Sequence, residues 1–307
     1  MTRTVAPMRG RPVSTFSGDT ARLILDAACE RIGQASAGAE LLRLGENAIY
    51  RLPSAPIVVR IARNADHWDD AVKEVAVSEW LERADVPGAR IWPTPQPIEV
   101  DGCPVTFWRF IDGRRGASGD VRALGAMLRR IHALPAPTTF DLPPEQVLGR
   151  VEARIDRAPV PRDDRAFLLD LLAELAADVD ALSYPLKPCV THGDAHVQNL
   201  MVTPAGVELI DFERVAWGQP EWDLAMTATE FVTARFWTSE QYQAFVDSYG
   251  FDVTEWPGFV VLRRCHEVKM TTWLMQNIDE SKAIRDEYEL RMATIRSGQP
   301  GQAWRAF

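Results

Sequence analysis

Apolar and polar positions follow two rhythms along this chain, and the change falls near Gly113. Before it, short strand-like runs dominate: "AELLRL", "AIYRL", "IVVRIAR", and later "PIEV" and "PVTFWRF". "GEN" and "PSAP" read as turns between the first three, and Asp101-Gly102 as the two-residue turn of a hairpin. Two helical segments interrupt. "SGDTARLILDAACERIG" has Ser17 or Asp19 as its cap and Leu23, Ile24, Ala27 and Ile32 as an apolar stripe. "WDDAVKEVAVSEWLERADV" carries Val72, Val75, Ala76, Trp80 and Leu81 at helical spacing. After Gly113 the period lengthens, and "SGDVRALGAMLRRIHALP", "RDDRAFLLDLLAELAADVDAL", "SEQYQAFVDSYG" and "FVVLRRCHEVKMTTWLMQNI" read as helices. The expected class is α+β in two lobes. Residues 1–112 form a small antiparallel β-rich lobe with one main inserted helix, and residues 113–307 a larger, mainly helical one. The first 16 or so residues are expected to be loose.

One stretch inside the helical half returns to the strand rhythm. "NLMVTPAGVELID" reads as a hairpin with strands at 200–202 and 207–210 around the turn "TPAG". If Val202 pairs with Val207, Asn199 lies opposite Ile210, and Asn199 and Asp211 come side by side at the open end. An amide oxygen and a carboxylate are hard donors of the kind Mg²⁺ takes when it also holds phosphate oxygens. Asp194 lies five residues before Asn199, near such a metal but available for another task.

Composition narrows the field. With 307 residues, 46% of them hydrophobic, the chain can bury a sizeable core in two lobes. A net charge of -9 and a pI near 5.2 argue against a nucleic-acid partner and favour cationic or neutral substrates. Cys29, Cys103, Cys189 and Cys265 are far apart, which suits reduced thiols in a cytosolic protein. The start lacks a signal-peptide run, and no apolar stretch reaches roughly 18 residues, so no membrane partner is expected. Nothing indicates an oligomeric state.

The spacing around the hairpin is that of phosphoryl transfer: H-x-D-x-x-x-x-N, then a D-F-G-like stretch. Here these are His192, Gly193, Asp194 and Asn199, followed by Asp211-Phe212-Glu213. The reaction is catalysed largely by positioning and charge neutralisation, so few residue types are needed. Asp194 suits acceptance of the hydroxyl proton, and Asn199 and Asp211 suit the metal. "THGDAHVQNL" followed by "LIDFERVAWGQPEWDLA" resembles the aminoglycoside phosphotransferase family, small-molecule kinases with a protein-kinase-like fold. The resemblance runs from about Leu41 to the helical tail. It implies ATP or GTP with Mg²⁺ in a cleft, and transfer of the γ-phosphate to a hydroxyl of a small molecule. Gly193 stands where protein kinases have arginine, as in that family, and Asp223 takes the place of an aspartate that braces the catalytic loop from a helix.

The small lobe can be checked against the same need. A nucleotide kinase requires a cation over the phosphates and an acid to hold it. Arg60 in "IVVRIAR" stands where the family usually has lysine, and Glu74 is its partner, with Glu79 the competitor. "RLGENAIYRL" has the single glycine Gly45 in place of a glycine-rich loop, so the resemblance alone implies that backbone N–H groups near Glu46 and Asn47 reach phosphate. "TFWRFIDG" fits the linker between lobes, with adenine meeting backbone around Arg109 to Ile111 and Trp108 lining the rear.

Blander readings stand beside these. His192 and His196 form HxxxH, but Gly193 replaces the glutamate of a zinc protease and suits a helix poorly. His192 is read as bracing the loop; His196 either faces the site or is solvated. Asp223 is read as structural, and His132 as packing or capping a helix end. His266 carries no signal. The tail supplies Trp217, Trp222, Glu230, Phe231, Trp237, Trp273, Asp279 and Glu280, which suit an amino sugar or another polyhydroxylated cation, against core aromatics and solvated acids. An aminoglycoside-like antibiotic and a metabolic amino alcohol, sugar or nucleoside remain open as acceptors. A catalytically silent nucleotide-binding module is the rival from another class.

Overall fold

A computed structural model describes residues 16–45 and 47–307. The start expected to be loose, up to residue 15, and the backbone of Glu46 lie outside the described residues. Contacts divide the chain into two compact units: the chain up to Val75 with Arg90–Ile111, and Ala76–Ala89 with Asp112–Phe307.

The first unit opens with helix α1 (Gly18–Arg31), capped by Ser17, whose hydroxyl accepts from the Thr20 N–H at 3.3 Å. Strands β1 (Glu40–Leu44), β2 (Asn47–Leu52) and β3 (Ile57–Ala62) follow, then helix α2 (Trp68–Arg83), β4 (Ile98–Val100) and β5 (Cys103–Arg109). They form one antiparallel sheet in the order β1-β2-β3-β5-β4. Asp101 and Gly102 both have positive φ, 50° and 77°, the conformation a two-residue hairpin turn demands. Alternation then decides the faces. Ala48, Tyr50, Leu52, Ile57, Val59, Ile61, Val105 and Phe107 turn to α1, which offers Ala21, Ile24, Leu25, Ala28 and Cys29. The opposite face of β3 therefore carries Arg60. Two stripe residues are corrected: Leu23 is 68% exposed and Val72 42% exposed. Both helices are apolar on more than one side, so spacing alone did not single out the buried face.

The second unit takes the C-terminal half of α2 and the segment to Ala89, so the division is not a single cut of the sequence. Its further elements are β6 (Arg114–Arg115), α3 (Val121–His132), α4 (Val151–Arg157), α5 (Arg162–Asp180), β7 (Cys189–Thr191), β8 (Leu200–Thr203), β9 (Gly206–Leu209), β10 (Ala216–Gly218), α6 (Pro220–Thr229), α7 (Ser239–Tyr249), α8 (Phe259–Met275) and α9 (Lys282–Ser297). A wide helical turn, Glu230–Ala234, extends α6. Every residue of α6 is buried, and α8 packs on it, so polar groups on these two helices are held in the interior. α3 lies against α7 where Gly125 permits it: a Cβ there would sit 2.6 Å from the Phe245 carbonyl oxygen. All four cysteines are buried and none forms a disulfide. Among the described residues no helix is long and apolar enough to cross a membrane.

Candidate active site

The hairpin has the register its alternation predicts. Val202 pairs with Val207 and Leu200 with Leu209, and the Ile210 N–H donates to the Asn199 carbonyl at 2.9 Å. Asn199 closes a helical turn (Val197–Asn199) and Asp211 opens another (Phe212–Arg214), so the two flank the open end. Asp211 has φ 68° and ψ 70°, a left-handed conformation that aspartate tolerates better than most residues. The strand behind it is fixed from outside: Leu209 N–H donates to Pro87 O at 3.1 Å and Leu209 O accepts from Ala89 N–H at 2.8 Å. Phe212 is buried and sets its ring edge against His192, centroids 6.4 Å apart.

Asn199 is buried and its amide N–H donates to the Asp194 carbonyl at 2.9 Å, which ties the loop to the hairpin. His192 is fully buried and its Nε2–H donates to Ile210 O at 3.0 Å. It therefore braces the loop, and His196, with Nε2 3.7 Å from Asp194 Oδ2, engages a different partner. The two do not converge as an HxxxH zinc pair would. Gly193 has φ 76°, and a Cβ on it would sit 2.3 Å from Arg214 O, so only glycine fits. Asp223 on α6 accepts three hydrogen bonds: from His192 N–H at 2.6 Å, Gly193 N–H at 2.8 Å and His132 Nε2–H at 3.0 Å. His132 ends α3 and also meets the Tyr249 hydroxyl at 2.9 Å, so it does more than pack or cap.

Asp194 is one-third exposed. Burial works against its charge, but the neighbouring His196 ring and the nearby Lys269 ammonium outweigh it and hold the carboxyl well below the usual carboxylate range. Lys269 Nζ, from α8, is 3.8 Å from Asp194 Oδ1 and donates to Gly193 O at 3.1 Å. The sequence reading passed over this lysine. Its signal was position: it follows Leu262, Cys265 and Val268 on the buried side of a helix, where an unpaired cation is costly.

Arg60 pairs with Glu74 within the first unit at 2.7 Å; Glu79, which belongs to the second, approaches Arg83 at 3.9 Å. With its amide oxygen turned to the guanidinium, Asn47 accepts from Arg60 Nε at 3.1 Å and Nη2 at 2.8 Å. Asn47 thus meets the cation through its side chain. Gly45 N–H is used on Asn47 O at 3.0 Å, and a Cβ on Gly45 would meet only the Arg43 side chain, at an ordinary 3.8 Å. Trp108 is buried and its indole N–H donates to Thr106 Oγ1. The N–H groups of Arg109 and Phe110 are occupied by Arg90 O and Pro56 O, both at 2.8 Å.

The tail supply is dispersed. Trp222 and Trp237 are buried and Trp217 and Trp273 are exposed; Phe231 stacks on Tyr242, and Asp279 pairs with Arg285. The bland reading fits Trp222 and Trp237 as core aromatics and Asp279 and Glu280 as exposed acids; it does not fit Trp217 and Trp273. Glu230 differs: it is buried, accepts from Trp237 Nε1 at 3.1 Å and shares its field with His196 and Asp194. Burial pushes its carboxyl up to about 7. The sign follows from linkage: a folded-state value above the ordinary carboxylate range means the ionised form costs stability, so stability falls as pH rises from the unfolded value of 4.5 towards 7. Glu230→Gln, which keeps an acceptor for Trp237, is expected to raise the unfolding free energy at pH 8 by about 2 kcal/mol and to change little at pH 4. Urea titrations at both pH values check this; equal shifts would refute the burial cause.

The class follows from the fold: an antiparallel sheet unit and a helical unit bearing this loop are those of protein-kinase-like small-molecule kinases. The profile of the phosphotransferase enzyme family (APH) matches residues 42–259, and the chain belongs to that family. It is a small-molecule kinase. Amicoumacin kinase hAmiN, solved in complex with AMP-PNP, Ca²⁺ and Ami, has a TM-score of 0.71 at 15% identity, over 92% of this chain and 96% of that one. Aminoglycoside phosphotransferase APH(3'')-Id from Streptomyces rimosus gives 0.59 at 21% identity, over 82% and 99%. The microcompartment-associated aminopropanol kinase gives 0.62 at 17%, over 86% and 94%. At these identities the likeness is one of fold.

Proposed function

We propose that this kinase moves the γ-phosphate of ATP or GTP to a hydroxyl of a small hydroxylated molecule, with Asp194 as the group that meets that hydroxyl. The observation that carries the reading is the open end of the hairpin, where Asn199, tied to the Asp194 carbonyl, and Asp211 flank one site. The donor set fits magnesium. The Asn199 amide nitrogen is engaged by Asp194, which leaves its oxygen as the group to offer, and Asp211 adds a carboxylate. Mg²⁺ held by Asn199 and Asp211 would neutralise phosphate charge.

The chain's own residues supply the rest. Arg60, held by Glu74 and Asn47, presents a charged fork to phosphate oxygens, a grip that arginine makes with two N–H groups. That intact pairing supports an active enzyme over a silent binding module. Asp194, kept ionised, accepts the hydrogen of the acceptor hydroxyl and orients its oxygen for in-line attack. His192 and Asp223 hold the loop in place. The first unit is read as the nucleotide-binding part and the second as the catalytic and acceptor-binding part.

The acceptor read first is an aminoglycoside-like antibiotic or amino sugar. Names of similar structures cover an antibiotic and an amino alcohol alike. A panel of aminoglycosides, amino alcohols, sugars and nucleosides, followed by coupled ADP release, tests the proposal. At least one class should raise the rate well above the water background. Binding of nucleotide with no acceptor-dependent release from any class would favour the silent module.

A further inference from the structure

We propose that Lys269 is a positioning residue for phosphoryl transfer: from α8 it pins the Gly193 carbonyl and one oxygen of Asp194, so the loop is clamped from two helices. The inference rests on the role given to Asp194 above.

Gly193 is the residue before Asp194, and a glycine with positive φ has the widest conformational range of any residue. Left alone, it would let the Asp194 carboxylate wander. Both of its backbone groups are instead anchored. Its N–H is taken by Asp223 from α6 at 2.8 Å, and its carbonyl by Lys269 from α8 at 3.1 Å. The same ammonium stands 3.8 Å from Asp194 Oδ1, while His196 stands 3.7 Å from Oδ2. Each carboxylate oxygen thus has a basic side chain within 4 Å on its own side, which restricts rotation about the carboxyl bond as well as the backbone.

Lys269 is itself held. Its ammonium lies 5.0 Å from the centre of the Trp222 ring, within range of a cation–π contact. Trp222 is fixed in turn by stacking on His266 at 3.8 Å and 14°, one turn earlier on α8. Burial pushes His266 down to about 3, so it adds no charge beside the lysine at neutral pH. Asp194 and Glu145 are the acids that face Lys269; Arg214 and Arg154 are the cations. An ammonium buried to this degree is expensive unless paired. If Lys269 served packing alone, methionine of similar length would replace it with little loss.

The test uses the full chain and the acceptor found by the panel. Lys269→Met, Asp194→Ala and the double variant are compared by mass spectrometry of phosphorylated acceptor over hours. A thermal-shift measurement with Mg²⁺-ATP runs alongside. Lys269→Met is expected to lose about 10²-fold in kcat while keeping the nucleotide-induced shift. The double variant should stay within about three-fold of Asp194→Ala, because residues that act as a unit are not additive. If Lys269→Met does not fold, Lys269→Gln, which keeps a donor for the Gly193 carbonyl, takes its place with an expected loss of about ten-fold. Undiminished turnover in Asp194→Ala would sink the reading of Asp194 whatever Lys269 does. A normal loss in Asp194→Ala beside wild-type kcat in the Lys269 variant, or a further ten-fold drop in the double variant, overturns the Lys269 proposal alone.

Discussion

Asp194→Ala is expected to lower kcat by about 10³-fold or more while the protein stays folded and still binds nucleotide. The side chain is one-third exposed and makes no hydrogen bond on which a strand or helix depends, so its removal leaves the scaffold standing. Stability should fall modestly, because the Asp194 carboxyl is held low in the folded protein and the buried Lys269 ammonium loses a partner. In the proposed mechanism, the variant loses the acceptor for the hydroxyl proton and the group that aims the attacking oxygen. Asp194→Asn keeps the shape and gives up the charge, and is expected to be nearly as slow. Steady-state kinetics at saturating nucleotide, with circular dichroism as the folding control, checks both. A folded Asp194→Ala protein within three-fold of wild type would remove Asp194 from the mechanism.

Asp223→Ala is expected to act differently, on stability and activity together. Its carboxylate is buried and accepts from two backbone N–H groups and the His132 ring. Alanine would leave those donors without partners in the interior, at a cost of about 3–5 kcal/mol, a large share of what a domain has. The two N–H groups belong to His192 and Gly193, so the residual folded protein should also lose about 10²-fold in kcat through displacement of Asp194. Burial opposes the Asp223 charge, but the hydrogen bond and charge of His132 win and hold the carboxyl below its ordinary range. The stability it supplies is therefore full above the unfolded value of 3.8 and is lost as pH falls below it. Denaturant titrations from pH 3 to 7 should show the gap between wild type and Asp223→Ala narrowing at the acid end. A constant gap would mean that the carboxylate charge is not what holds the loop.

Much of the site was legible because its geometry is local. A two-period alternation on each side of "TPAG" fixes which residues pair, and pairing alone puts Asn199 and Asp211 at one end of the ribbon. The Arg60–Glu74 pair was within reach for a similar reason, since strand parity and helix position allow few partners. What escaped lies between elements far apart in sequence. Nothing in "LRRIHALP" says that His132 meets Asp223, 91 residues on, and nothing in "RRCHEVKM" says that Lys269 reaches a loop 76 residues back. Those contacts are set by how α3, α6 and α8 pack. Facing was misjudged for Leu23 and Val72 because their helices offer several apolar stripes, and the sheet and core decide among them.

Asn199 and Asp211 are proposed to hold one metal ion at the end of the β8–β9 hairpin. Titration of Mn²⁺ into the protein with a non-hydrolysable ATP analogue, followed by electron paramagnetic resonance of free Mn²⁺, measures it without reference to any acceptor. Wild type should bind the ion in a nucleotide-dependent way, and Asp211→Asn should weaken that binding at least about ten-fold. Equal binding in the two proteins would contradict the account.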